Sequence, residues 1–298
     1  MASRIFYYNL TYYCNNNCRF CFSHSTGLNK RSIDYSALQN ALLSSLPTAD
    51  DMIVLNGGEP TLHPHFYEFL EYLNANYDSN VRIYSNGRKI AVNKLSIDRK
   101  NTFVIPVHGD RALHDAMTQV PRSYSETLDT LREMEYMKIG YSIKIIVTPE
   151  LLQQDFDILA FLLQNKLHPK EVFIARLNAT KKSKINGCRL VPIKDLEKWI
   201  GRQFFIIGSS FKIKTLDIPP CCLDREFHFD SVAACPVPVF FFNDDRICMS
   251  PRIYVKDIRP AGERFDCDQC RNKYICQIIS ESYLTLSRID GRWVLEVE

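Results

Sequence analysis

Residues 4–21 read RIFYYNLTYYCNNNCRFC. An apolar, aromatic run of the kind that favours a β-strand empties into three cysteines, Cys14, Cys18 and Cys21, within eight residues. Eleven cysteines stand among 298 residues, so a tight triplet is rare by chance, and the rest of the chain is read outward from it. The start lacks the apolar core and small-residue cleavage site of a secretory signal, and no run of about 18 apolar residues follows anywhere. A cytoplasmic protein with no membrane partner is expected. Disulfides are rare in that compartment and an odd count cannot pair completely, so metal or cluster ligation explains the cysteines better. A net charge of +3 carries no concentrated basic excess and gives no reason to expect nucleic acid.

Downstream of the triplet, short apolar runs alternate with amphipathic stretches, the pattern of repeated βα units around a parallel sheet. Strands are expected at Arg4 to Leu10, Met52 to Asn56, Val81 to Ser85, Phe103 to His108, Tyr141 to Val147 and Val172 to Leu177. Helices are expected at Ile33 to Leu46, Phe66 to Asn76, Tyr124 to Lys138, Phe156 to Gln164 and Ile193 to Ile200. Six units are too few to close a full barrel. The fold class is therefore α/β, a partial (β/α)6 barrel of TIM type over residues 1–200, with its chemistry at the C-terminal strand ends. Residues 201–298 differ in texture: prolines punctuate short β-like runs, and seven cysteines lie between Cys221 and Cys276. A small cysteine-rich C-terminal domain is expected there, ending in a hairpin around Asp290-Gly291.

Three thiolates on one loop leave one iron of a [4Fe-4S] cluster without a protein ligand, and an open coordination position is where chemistry happens. A zinc site or inert thiols are the alternatives that spacing leaves open. After the second strand comes Asn56-Gly57-Gly58-Glu59-Pro60. The glycines permit close backbone approach to a ligand, and a carboxylate there can accept from an ammonium group; a plain β-turn is the alternative. Ser85-Asn86-Gly87 closes the third strand and Pro106-Val107-His108-Gly109 the fourth. Lys144 and Arg176, on the fifth and sixth, are candidates to face the mouth and meet a cofactor carboxylate or a substrate; a solvated edge position is the alternative for Lys144. His24, His63, His65 and His114 are read as loop or surface residues.

Cys14-x3-Cys18-x2-Cys21, with Phe20 before the third cysteine, resembles the motif of the radical S-adenosylmethionine (SAM) superfamily, and Gly57-Gly58-Glu59 resembles its GGE motif. Ser85 and Asn86 resemble its ribose-contacting position. The resemblance implies that Cys14, Cys18 and Cys21 hold a [4Fe-4S] cluster whose open iron is chelated by SAM. It further implies that Phe20, Gly57, Gly58, Glu59, Ser85, Asn86, His108 and Arg176 surround the cofactor, and that a flavodoxin- or ferredoxin-type donor supplies the electron. That electron cleaves the sulfonium to methionine and a 5′-deoxyadenosyl radical, which takes hydrogen from a substrate.

Cys235-x12-Cys248 and Cys267-x2-Cys270-x5-Cys276 together resemble the SPASM or twitch extensions of that superfamily, which bind auxiliary [4Fe-4S] clusters. The two-cluster pattern continues with a cysteine four places on, where Ser280 stands. One auxiliary cluster is expected, on Cys235, Cys248, Cys267 and Cys270, with Cys276 able to replace one; a second cluster stays open, as does a zinc knuckle. Of Cys221 and Cys222, one is a candidate ligand or quenching thiol; the other, like Cys188, reads as a packed apolar residue.

The resemblance points first to an enzyme that modifies a ribosomally made peptide by oxidation, cross-linking or epimerisation. A first strand at Arg4 leaves no room for the N-terminal peptide-recognition domain of many such enzymes. The alternative is a dehydrogenase or epimerase of a small molecule such as a cyclitol, sugar or aminoglycoside. A non-catalytic zinc module is the third reading.

Overall fold

A computed structural model describes residues 4–177 except 22, 24, 26, 96 and 97, then residues 181–207 and 211–216. Four later strands are also described: Val239–Asn243, Arg246–Ser250, Leu284–Ile289 and Arg292–Val297. The expected Cys235, Cys267, Cys270 and Cys276, with Cys221 and Cys222, lie outside these residues, as does the side chain of Cys248.

Seven parallel strands form the body of the sheet: β1 Ile5–Asn9, β2 Met52–Asn56, β3 Asn80–Tyr84, β4 Asn101–Val107, β5 Tyr141–Val147, β6 Val172–Arg176 and β7 Ile213–Leu216. Two more, β8 Val239–Asn243 and β9 Arg246–Ser250, extend it, in the order β7-β6-β5-β4-β3-β2-β1-β8-β9. Sequence reading anticipated six of these strands in one sheet. It missed β7, four residues with Lys214 on the interior face, because nothing in so short and mixed a run alternates clearly. β8 and β9 pair antiparallel, and β8 joins the sheet by lying parallel to β1, with Tyr7 opposite Phe241. The terminal strands β10 Leu284–Ile289 and β11 Arg292–Val297 form the expected antiparallel hairpin.

The helices are α1 Tyr35–Ser45, α2 Phe66–Asn76, α3 Arg111–Thr118, α4 Ser123–Met137, α5 Pro149–Gln153, α6 Ile158–Asn165, α7 Lys181–Ile185 and α8 Ile193–Ile207. Their ends follow local chemistry. Asp157 Oδ1 accepts from Ala160 N at 2.9 Å, which starts α6 two residues after the expected Phe156. Leu46 and Lys138 turn left-handed, at φ 45° and 57°, and stop α1 and α4.

The strands alternate. Phe6, Tyr8, Ile53, Leu55, Val81, Ile83, Ile143 and Ile145 are buried in one apolar cluster with Leu38, Leu42, Phe69 and Leu131 of the helices. Each such side chain contributes roughly 1.5–3 kcal/mol by leaving water. The intervening Tyr7, Arg82, Tyr84, Pro106, Lys144 and Ile146 are only half-buried and face the other way. That face is the interior of a partial barrel. The Arg82 guanidinium stands 5.3 Å from the centre of the Phe173 ring although β4 and β5 lie between their strands. In a flat sheet those strands would be about 14 Å apart, so the sheet curls.

Candidate functional site

Past β1, Leu10 N still donates to Asn56 O at 3.0 Å, and the chain then enters the cysteine loop. The end of β2 holds this loop like one further rung, with Gly58 N donating to Thr11 O at 2.6 Å and Glu59 N to Tyr13 O at 2.8 Å. Both glycines are required for it. Gly57 sits at φ +142°, and a β-carbon there would stand 2.7 Å from Asn9 Oδ1; one on Gly58 would stand 2.6 Å from the carbonyl carbon of Tyr13. The close approach expected of these glycines is thus made by the cysteine loop itself.

Glu59 is fully buried. Its Oε1 accepts from Thr61 N at 3.2 Å, Thr61 Oγ1 at 2.7 Å and Ser85 Oγ at 2.8 Å, while Oε2 accepts from Asn86 N at 2.6 Å. Four protein donors therefore occupy the carboxylate, which ties the end of β2 to the end of β3. Burial pushes its carboxyl above the ordinary range, against those hydrogen bonds.

From the end of β3, Asn86 Nδ2 donates to Asn15 Oδ1 at 2.6 Å and lies 3.7 Å from Cys14 Sγ, which also receives Asn16 N at 3.4 Å. Arg88 is buried, and its Nη1 donates to Asn15 O at 2.6 Å and Asn16 Oδ1 at 2.7 Å while Nε pairs with Glu126 of α4 at 2.7 Å. Further along the loop, Asn17 N and Arg19 N donate to Thr118 O and Met117 O at the end of α3, at 3.0 and 2.9 Å. Lys182 Nζ donates to Asn17 Oδ1 at 2.9 Å, and Asn186 Nδ2 to Arg19 O at 2.7 Å. Sequence reading missed Arg88, Thr61, Glu126, Lys182 and Asn186. The signal available was Asn15-Asn16-Asn17, a polar run between cysteines whose amides need partners.

Burial, the charge of Glu59 and the neighbouring Cys21 push the Cys14 thiol up to about 12. Burial and the charges of Cys21 and Cys14 push Cys18 up to about 12. Cys14 and Cys18, both raised in this way, become thiolates only beside a compensating cation. Among the described residues no three His, Cys, Asp or Glu side chains converge on a single ion position. Three free cysteine thiols on one short loop are the donor set of a multi-iron cluster, in which each would take a different iron. The donor set therefore fits a [4Fe-4S] cluster.

Phe20 is buried with its ring edge-to-face on His108, centres 5.1 Å apart. His108 is itself buried; its Nδ1 has no partner among the described residues, and its backbone N donates to His114 Nδ1 at 3.3 Å. Burial, reinforced by His114 and Lys144, holds the His108 imidazole well below the usual histidine range. Burial likewise lowers His114 to about 4. His114, on α3 and 1% exposed, is neither a loop nor a surface residue, which corrects its reading; His63 lies on a loop as read, although it is 4% exposed and its ring is hydrogen-bonded to Ile33 O and His65 N. His65 is exposed, and His24 lies outside the described residues. The structure thus brings Cys14, Cys18, Cys21, Phe20, Gly57, Gly58, Glu59, Ser85, Asn86 and His108 to one end of the sheet. Arg176 shares the helix-side face with Val172 and Ile174 and pairs in register with Val147, so it stands apart from the interior face that carries Lys144.

A family model described as the Radical SAM superfamily matches residues 8–163, more than half of the chain. No curated protein matches it. Among solved structures, Streptococcus suis SuiB bound to precursor peptide SuiA aligns with a TM-score of 0.64 and 14% identity, over 80% of this chain and 57% of SuiB. SuiB bound to S-adenosylmethionine gives 0.63 and 14%, over 80% and 58%. Native anSMEcpe with bound AdoMet and Cp18Cys peptide gives 0.57 and 17%, over 71% and 63%. At these identities the likeness is one of fold, and the chain spans less than two thirds of each of those proteins.

Proposed function

Because the chain belongs to the radical SAM superfamily, we propose that it is a peptide-modifying member, in which Cys14, Cys18 and Cys21 hold the [4Fe-4S] cluster that SAM binds. The observation that carries this reading is the cysteine loop, fixed at the strand ends by hydrogen bonds from β2, β3, α3 and the α7 region. When bound, cluster and SAM supply one-electron cleavage of the sulfonium and abstraction of a substrate hydrogen. The chain's own part is placement. Arg88 and Asn86 hold the backbone around Cys14, and Asn86 offers an N–H toward its sulfur, the kind of contact that tunes cluster potential. Gly57 and Gly58 let the loop lie against β2. Glu59 aligns the ends of β2 and β3 as a positioning residue, and Phe20 and His108 form the wall beside the cofactor.

A peptide substrate is supported by the shared fold with SuiB and anSMEcpe, both solved with peptides bound. An auxiliary cluster on Cys235, Cys248, Cys267 and Cys270, with Cys276 in reserve, a flavodoxin- or ferredoxin-type donor and a cytoplasmic location complete the proposal. No described helix is long and apolar enough to cross a membrane. In this reading residues 1–200 carry the radical chemistry and 201–298 the auxiliary cluster, while β7, β8 and β9 of the second stretch extend the sheet of the first.

The test is anaerobic reconstitution with iron and sulfide counted, followed by SAM and dithionite. The parent is expected to yield methionine and 5′-deoxyadenosine. Cys14→Ala/Cys18→Ala/Cys21→Ala should abolish cleavage and keep one cubane's worth of iron in the auxiliary domain. Loss of all iron in that variant refutes the auxiliary cluster. Deuterium reaching 5′-deoxyadenosine from a labelled cyclitol, and never from a labelled peptide, refutes the peptide reading.

A further inference from the structure

The interior face of the barrel carries cations that the fold does not match. By register, Tyr7, Val54, Arg82 and Thr102 form one row; Tyr84, Val104 and Ser142 the next; and Pro106, Lys144, Phe173 and Lys214 the third. No interior position of β1–β7 is Asp or Glu. Lys214 has a partner in Glu171, the residue before β6 and on the same side of that strand as Phe173, at 2.7 Å. For Arg82 and Lys144 no carboxylate partner exists among the described residues: Arg82 lies over Phe173, and Lys144 Nζ lies 5.7 Å from the centre of the Tyr84 ring.

Two half-buried cations on one wall repel each other, and rings offset only a part of that cost. A third group on the same face is also unmatched. Ser142, two residues before Lys144 and therefore on the same side of β5, is fully buried, and its hydroxyl has no partner among the described residues. An unsatisfied buried hydroxyl beside an unpaired ammonium is the complement of a carboxylate, which accepts from both. The place suits a substrate. Pro106, in register with Lys144, lies two residues below His108, and His108 touches Phe20 of the cysteine loop. Lys144 thus stands one layer deeper in the barrel than the wall beside the cofactor.

We propose that this wall receives a carboxylate side chain of the substrate, bound by Lys144 and Arg82 with Ser142 as hydroxyl partner, so that the enzyme acts on an acidic peptide. The proposal rests on the peptide reading above, since acidic side chains are the anions that an unmodified peptide brings. The same chemistry has a second source, the carboxylate of SAM, which the test separates.

Cluster-loaded protein is first checked for SAM cleavage; failure there overturns the radical SAM reading, and its readout is separate from that of the binding titration. SAM-saturated protein is then titrated with N-acetyl-glutamate methylamide and N-acetyl-glutamine methylamide. The charged probe should bind the parent about tenfold more tightly than its amide, the effect of one charge-assisted hydrogen bond. Lys144→Met should erase that difference, Lys144→Arg keep it, and Ser142→Ala reduce it. The SAM dissociation constant should change by less than about fivefold in Lys144→Met, roughly 1 kcal/mol. Equal binding of the two probes to the parent, or a difference that survives Lys144→Met, overturns the proposal. A change of about fivefold or more in SAM affinity assigns Lys144 to SAM and overturns it also. Tighter binding of N-acetyl-phosphoserine methylamide than of the glutamate probe overturns the carboxylate assignment.

Discussion

Two sides of the barrel mouth treat polar groups in opposite ways. Around the cysteine loop most buried donors and acceptors have partners, Asn9 Oδ1 and Asn15 Nδ2 excepted among the described residues: Glu59 takes four donors, Arg88 reaches three acceptors, and Asn86 bonds through backbone and side chain alike. Across the interior, just past β4 and on β5, His108 Nδ1 and Ser142 Oγ are buried without partners among the described residues, as is His114 Nε2 on α3 behind them, and Lys144 lies against the Tyr84 ring. A saturated network costs little to bury and fixes geometry, whereas unmatched polar groups lower stability. The fold places its rigidity under the ligands of the proposed cluster and leaves its unsatisfied chemistry where a reactant would lie.

The largest test of that contrast is Arg88→Met. It removes both bonds to the loop and leaves the carbonyl of Asn15, the side chain of Asn16 and the carboxylate of Glu126 without their donor. A loss of about 3 kcal/mol is expected, read as a lower urea midpoint, with slower iron uptake by the three cysteines. Arg88→Lys should recover part of it, since an ammonium cannot reproduce the fork. A variant as stable as the parent would show that the saturated side is not where the rigidity resides.

On the unmatched side the probe is pH. His114 Nδ1 accepts from the backbone of His108, so the neutral ring carries its proton on Nε2, and a second proton would turn the acceptor into a donor facing a donor. The folded-state value is lowered to about 4; the unfolded value is near 6.5. The unfolded chain therefore takes up the proton first as pH falls. The stabilisation is complete above about pH 6.5 and is lost progressively down to about pH 4. Between those limits the parent should lose about 2 kcal/mol more than His114→Asn, measured by urea unfolding at each pH. Equal slopes would mean that water already reaches this ring and the contrast is overstated.

How much of this was legible depends on distance along the chain. The bounds of β2, α2 and β5 were read as they stand, because each is an apolar run with clear periodicity closed by turn residues. The three-cysteine loop and the strand-end glycines were legible for the same reason: the signal lies within a few consecutive residues. Helix α3 was not, since its buried face mixes Leu113 and Met117 with His114 and Thr118, and polar residues at core positions hide the helical period. Arg88 was not legible either. Beside a Ser-Asn-Gly turn an arginine reads as solvated, and its burial comes from a loop 72 residues earlier. The interior cations needed the register of five strands before they could be seen as neighbours.

The smallest expected effect bears on the comparison most directly. Cys188 is half-buried against the apolar core, its backbone N donates to Ser183 O at 2.9 Å, and burial raises its thiol against the pull of Arg19. The charges that reach it are those of Arg19 and Glu150, whereas Cys14 and Cys18 each respond to the other thiols of the loop. It therefore packs as a small apolar residue, although the α7 region that precedes it is bonded to the loop through Lys182 and Asn186. Cys188→Ser should change stability by no more than about 0.5 kcal/mol and leave the iron count and SAM cleavage unaltered. If iron falls instead, a fourth thiolate reaches the cluster from that region. The loop would then be saturated in metal ligands as well as in hydrogen bonds, leaving no open iron for SAM.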